Sequence, residues 1–376
     1  MKSSRNVIML HSVGSNHTNW TGRHLSVDAV QFEALCQYLS SHNYKTDFLS
    51  RWYYLEDYPK EKTGKELFLT FDDGYLDNLL VAYPVMKKYG VKGTIFVNPE
   101  FIDPSSGVRT IKDNNGETLG FLNWDEICFL DKSGVFDIQS HSMSHNFYFK
   151  SDKMIDIHTQ QNKYHWLAWI NKPEKKYAWQ LENQKSYTPY GYPVFEYYRA
   201  LGLRRYFPDD TVVEKSIELY KSGKDKEEIV KACTELLKEY PGRFETDEEM
   251  TKRYKYELFD SKRILEERLD KKIDYLCWPG GGYNEISLRI AEEAGYLAST
   301  IASREGRKQV DNKGKEYKRI VRFGMDSTIR KGYYFRKQRV VPTSFKRHLI
   351  WILKTEEHNP LYRFLAKANY FMLRFF

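Results

Sequence analysis

Strand-like and helix-like segments alternate along this chain, and that alternation restricts it to folds built around a parallel sheet. Val7 to Leu10 is a short apolar run. Phe32, Leu35, Cys36 and Leu39 follow at helical spacing, which predicts an amphipathic helix over residues 27 to 41. Leu67-Phe68-Leu69-Thr70-Phe71 is a second strand. Ala82, Val85, Met86 and Tyr89 mark the next helix, with Pro84 in its early turns and Gly90 where a C-cap belongs. Thr94 to Val97 reads as strand, residues 124 to 132 as helix, and Val135 to Gln139 as strand. The rhythm resumes after about residue 258. A helix through Ile264, Leu265 and Leu269 precedes the strand Asp274 to Trp278. A helix over 285 to 294, closed by Gly295, leads to the strand Leu297 to Ala302, and Ile320 to Phe323 is the last.

Residues 146 to 258 break the pattern. They open with a loop rich in Tyr, Trp, Asn and Pro and continue in two charged helical stretches near 211–239 and 246–258. The organisation expected is a barrel in two parts, 1–145 and 259–330, with an insertion at 146–258 and a tail at 331–376. Helices would cover the outside of the barrel, and 376 residues are enough to bury its core.

The net charge of +8 belongs to the tail. Residues 331 to 376 hold ten Lys or Arg and two Glu, leaving 49 basic and 49 acidic residues elsewhere. On a helical projection of 361–376, Leu361, Phe364, Leu365, Ala368, Phe371, Met372, Phe375 and Phe376 share one half, with Arg363, Lys367 and Arg374 opposite. Two readings fit: peripheral contact of 345–376 with an anionic membrane surface, or docking onto the barrel. A near-neutral body without a nucleic-acid motif argues against nucleic acid as partner. The N-terminal apolar run is too short for a signal peptide, no run spans a membrane, and the four widely spaced cysteines suit a reducing compartment. The location expected is cytoplasmic, and peripheral on the inner face of the membrane if the first reading of the tail holds.

Chemistry concentrates where strands end. Thr70-Phe71-Asp72-Asp73-Gly74-Tyr75 closes an apolar strand with two adjacent carboxylates. Such neighbours repel, so the pair calls for a raised pKa or a cation, unless it is simply a polar turn. His141-Ser142-Met143-Ser144-His145 follows another strand, and histidines at i and i+4 on one helical turn can share a metal. Alone, each motif reads better as a polar turn or a pair of surface histidines. Together, one carboxylate and two histidines can form a facial metal site with open positions. Tyr275-Leu276-Cys277-Trp278-Pro279-Gly280-Gly281-Gly282-Tyr283 brings a third strand into a glycine-rich turn, where backbone N–H groups could face a ligand.

In this order the motifs resemble those of the polysaccharide deacetylase family, also called the NodB-homology or carbohydrate esterase family 4 group. Met9-Leu10-His11-Ser12-Val13, the stretch 261–269 and the stretch 292–300 are also similar to that family. The resemblance covers roughly residues 5–145 and 259–325. It implies a distorted (β/α)7-type barrel and a metal-dependent hydrolase that removes acetyl from an N-acetylated glycan or glycan precursor. It further implies Asp72 as general base, Asp73, His141 and His145 as metal ligands, and the Gly280 N–H as an oxyanion contact. Zn²⁺ is the first choice of divalent metal, with Co²⁺, Ni²⁺ and Fe²⁺ accommodated by the same donors.

Two departures stand out. Cys277 occupies the place of an arginine that orients the base in the family, and no Leu-x-x-His histidine follows Ser303 before His348. His11 is the substitute expected for the missing acid, with a structural role equally open. His158 and His165 lie in the insertion. Tyr75, Trp124, Trp278 and Tyr283 are candidates to stack on a sugar, or to pack. The rival readings are a non-catalytic glycan-binding relative and a hydrolase of an O-acetyl or other C–N bond. Asp72 argues against the first, since a binding module needs no base.

Overall fold

The computed structural model describes residues 6–15, 25–52, 66–161, 164–301, 319–324, 328–331 and 339–342, with Leu361, Phe364 and Ala368. In chain order its main strands are β1 (Asn6–Leu10), β2 (Glu66–Phe71), β3 (Gly93–Val97), β4 (Phe136–Ser140), β5 (Phe147–Ile157) and β6 (Pro193–Arg199). There follow β7 (Tyr275–Leu276), β8 (Ala298–Ile301), β9 (Arg319–Val321) and β10 (Phe323–Gly324).

One sheet runs β9-β8-β7-β4-β3-β2-β1-β10, parallel throughout. The strands β9 and β10 are halves of one segment with Arg322 between them. The first half pairs with β8 and the second with β1, so the two ends of the sheet meet in six residues and the barrel nearly closes. This is the α/β barrel that the alternation predicts.

Alternation within β2 explains both of its faces. Leu67, Leu69 and Phe71 pack outward against Phe32, Leu35 and Leu39 of the helix Ala29–Ser41 and against other covering helices. Phe68 belongs to a second cluster with Val7, Phe96, Tyr275 and Ile320. A strand buried on both faces reads as a continuous apolar run, as this one does. The covering helices start on side-chain caps: Asp28 for Ala29–Ser41, Asn123 with Glu126 for Trp124–Lys132, and Asn284 with Ser287 for Glu285–Glu293. The helix expected near Ala82 begins as a π turn, Asn78–Ala82, continues as Tyr83–Tyr89, and ends on Gly90 in the left-handed conformation.

Between β4 and β7 the structure departs from the expected loop. Residues 147–157 and 193–199 form an antiparallel hairpin, β5 with β6, because Phe147, Phe149, Phe195 and Tyr197 favour extended backbone and meet edge to face across the pair. The stretch expected to be helical over 211–239 divides into Asp210–Lys221 and Lys226–Leu236, broken at Gly223 with φ +82°. These elements share their own core, including Trp166, Phe195, Tyr206, Val212 and Ile229.

Apart from Leu361, Phe364 and Ala368, the predicted amphipathic helix of 361–376 lies outside the described residues, as does the apolar run 348–353. Among the described residues no helix is long and apolar enough to cross a membrane.

Candidate metal and catalytic site

The sheet ladder continues one residue past three strands and fixes the rim of the barrel. The N–H of Asp72 donates to Leu10 O, that of His141 to Val97 O and that of Cys277 to Ser140 O, each at 2.9 Å. Asp72, His141 and Cys277 therefore stand side by side at the carboxyl ends of β2, β4 and β7, where sites in parallel α/β folds are built.

Asp73, His141 and His145 converge. His141 Nε2 lies 3.2 Å and His145 Nε2 3.6 Å from Asp73 Oδ1, and one donor atom from each residue falls within 4.8 Å of the others. The Nδ1–H of His141 donates to the Cys277 carbonyl at 2.8 Å. That bond orients the ring with Nε2 toward Asp73, and in the neutral form that a cation requires it would leave Nε2 free to ligate, an arrangement typical of metal-ligating histidines. Burial pulls His145 down to about 3, with Asp73 opposing and His141 and Arg199 adding to the effect, so its ring is neutral and available as a ligand. Burial would raise Asp73, but the hydrogen bond from His141 and the two imidazoles beside it hold it below the usual carboxylate range. Two imidazole nitrogens and a carboxylate oxygen fit a divalent cation of the zinc type.

The histidine motif is not a helical turn, contrary to the spacing argument. Ser142 and His145 have φ of +59° and +51°, and Asp73 has +76°. Local strain of this kind persists only where surroundings over-determine it. Here Glu257, buried in the π turn Tyr256–Asp260, accepts the N–H groups of Met143 (3.1 Å) and Ser144 (3.0 Å) and the Ser144 hydroxyl. The side chain of Asn98 donates to His141 O. Fully buried Lys176, from the segment between β4 and β7, donates to Ser144 O and Asn146 Oδ1 at 2.8 Å and to Glu100. Gly74, with φ +70°, admits no side chain, because a Cβ there would lie 2.9 Å from Val97 Cγ1.

Asp72 is held by a residue that the motif reading missed. Arg322, between β9 and β10, donates from Nη1 to Oδ1 at 2.6 Å and from Nη2 to Oδ2 at 2.8 Å. It also reaches Thr70 Oγ1 at 3.1 Å and Cys277 Sγ at 2.9 Å. Burial would raise Asp72, but the charge and hydrogen bonds of Arg322 outweigh it, with help from His141 and His11, and the carboxyl stays below its ordinary value. The arginine missing at Cys277 is thus replaced in space from another strand. Its only sequence signal is a charge in the apolar run Ile320-Val321-Arg322-Phe323.

These groups open into a cavity of about 520 Å³. His11 lines it, with Nε2 3.8 Å from Asp72 Oδ2. Gly280 lines it with φ +54°, and its N–H donates to no described residue. Tyr75 and Trp278 reach the cavity wall but are almost fully buried, Tyr75 stacked on Phe121. Trp124 and Tyr283 do not line it: Trp124 lies under Arg268 and Tyr283 packs on Trp278. His165, Trp169 and Trp179, between β5 and β6, form another wall, while His158 does not line the cavity and donates from Nε2 to Lys185 O.

The chain is similar to known proteins in the same sense. The sequence profile of the family described as polysaccharide deacetylase matches residues 59–190, which contain the first two motifs. A protein of Bacillus subtilis (strain 168) named "Putative polysaccharide deacetylase YxkH" is 38% identical over 91 residues, 24% of this chain and 30% of that protein. The match thus spans under a third of the relative's length. Among solved structures, a de-N-acetylase from Aggregatibacter actinomycetemcomitans superposes with a TM-score of 0.53 at 15% identity, covering 85% of this chain and 94% of that one. That likeness concerns the fold. Barrel, motif order and family profile agree: the chain carries a NodB-type barrel whose residues 59–190 match the polysaccharide deacetylase family.

Proposed function

We propose that this protein is a metal-dependent hydrolase that removes acetyl groups from N-acetylated amino sugars. One observation carries the reading: a carboxylate gripped by Arg322 stands beside a converging Asp73–His141–His145 set, in a cavity partly walled by aromatic rings. Asp73, His141 and His145 would hold the cation, with Zn²⁺ the first choice. When bound, such a cation polarises the acetamide carbonyl and acidifies water.

The remaining work falls to the chain itself. Asp72 takes the proton of the attacking water, and Arg322 keeps it ionised and aimed. The free N–H of Gly280 faces the oxygen that gains charge. His11, adjacent to Asp72, returns a proton to the departing amine, so that water and amide become acetate and free amine. Trp169 and Trp179 offer apolar surface to the sugar ring.

The test is acetate release from N-acetylated chito-oligosaccharides by the metal-loaded protein. Asp72→Asn is expected to reduce the rate by about 10²–10⁴-fold while metal content is retained. Equal rates in the two proteins would overturn the proposal. Release from O-acetyl but not N-acetyl substrates would move the activity to esters.

A further inference from the structure

Arg199, the last residue of β6, is set into the site by several independent contacts. Its guanidinium lies 3.8 Å from the centroid of the Phe147 ring, directly across the hairpin. Its side chain lies against the glycine turn of the third motif. A Cβ on Gly280 would fall 2.1 Å from Arg199 Nε, and one on Gly282 2.1 Å from Arg199 Cβ. The glycines at 280 and 282 are therefore what lets this arginine approach the rim of the barrel.

Its charge combined with its place in the site cavity sets Arg199 apart. Several buried or half-buried cations have carboxylates: Arg109 pairs with Glu126, Lys176 with Glu100, Arg253 with Glu245 and Arg322 with Asp72. Arg199 forms no ion pair and donates no side-chain hydrogen bond to any described residue, yet it lines the same cavity as Asp73 and His145. Burial lowers its pKa, with Tyr198, Tyr197 and Asp73 opposing, so the site carries the cost of a desolvated charge with no counter-ion of its own. The guanidinium packs on the Phe147 face and along Gly280 and still lines the cavity, where its donors can meet a ligand.

We propose that Arg199 is a specificity-determining residue that receives an anionic group of the substrate, so that the sugar deacetylated here carries a phosphate or a carboxylate. The inference rests on the N-acetyl-sugar reading above and narrows its substrate class. A planar fork suits both anions. The hairpin that delivers Arg199 belongs to the segment between β4 and β7, so substrate choice is built into a part of the chain outside the barrel strands.

Equilibrium binding tests this without turnover. Three probes are titrated into the full, metal-loaded chain carrying Asp72→Asn: N-acetylglucosamine, N-acetylglucosamine 6-phosphate and N-acetylgalactosaminuronic acid. The same titrations are repeated with Arg199→Gln added. At least one anionic sugar is expected to bind about 10-fold or more tightly than the neutral one. Addition of Arg199→Gln is expected to abolish that preference while leaving the affinity for N-acetylglucosamine within about twofold. The phosphate and the uronate arms tell the two anions apart. Equal binding of neutral and anionic sugars by the Asp72→Asn protein overturns the proposal and leaves the N-acetyl-sugar reading standing. A preference that survives Arg199→Gln assigns the anion to another cation and also overturns it. Absence of binding by all three sugars removes the N-acetyl-sugar reading, and the role of Arg199 falls with it. Far-ultraviolet circular dichroism and metal content of the double variant, both expected to be unchanged, separate lost recognition from lost folding.

Discussion

At the scale of single residues, the pairing of Asp72 with Arg322 connects fold to chemistry. A buried carboxylate without a partner would neutralise, and a base that is neutral is no base. Arg322 supplies both a charge and a two-point grip, and lysine can supply only the first. Arg322→Lys is therefore expected to slow acetate release by about 10²-fold, through loss of aim, with metal content at the wild-type level. Wild-type rates in that variant would show that the grip is not used. The pair also marks how far residues could be read without a structure. Asp73, His141 and His145 announce themselves as short motifs at strand ends, and the structure brings them together. Arg322 has no motif, because its meaning comes from closure of the barrel 250 residues after Asp72. Trp124 and Tyr283 misled for the converse reason, since nearness in sequence to a motif does not place a ring on the cavity side of the wall.

At the scale of elements, loops that hold ligands are themselves held. Glu257 accepts two backbone N–H groups of the histidine loop, which would otherwise be buried without partners. Glu257→Ala is expected to cost about 2–4 kcal/mol of stability and to weaken metal retention, as read by denaturant unfolding and by metal content. Retention of both at wild-type values would contradict the anchoring role. The turn after the first motif has a comparable support in Asp77, which accepts from the hydroxyls of Ser12 and Ser15. Burial outweighs these hydrogen bonds and raises Asp77 from 3.8 to about 7. The folded chain keeps a proton that the unfolded chain has lost between those values. The stability contributed by this group therefore falls as pH rises from about 4 to about 7 and is level above. Denaturant unfolding of wild type and Asp77→Asn at pH 5 and pH 7.5 checks the sign: the wild type should lose more stability over that interval than the variant. The histidine spacing misled at this scale. The i, i+4 pattern is shared by a helical turn and by a loop bent through left-handed residues, and Glu257, Asn98 and Lys176, all distant in sequence, select the loop.

At the scale of the whole molecule, the period of apolar residues carried the fold. Strand and helix alternated visibly on either side of the segment between β4 and β7, and the parallel sheet follows from that. The hairpin within that segment was harder to read because its strands are aromatic and half-exposed, so its composition resembles that of a binding loop. Its consequence is functional: Lys176 braces the histidine loop, and His165, Trp169 and Arg199 add walls to a cavity whose floor belongs to the barrel. The central claim is that barrel and motifs together make a metal site. The most direct measurement is metal content by elemental mass spectrometry, wild type beside His141→Ala, after reconstitution with Zn²⁺ and removal of excess. The expected result is close to one equivalent in the wild type and little or none in the variant. A wild type that retains no Zn²⁺, Co²⁺, Ni²⁺ or Fe²⁺, or a His141→Ala protein that retains as much metal as the wild type, would contradict it.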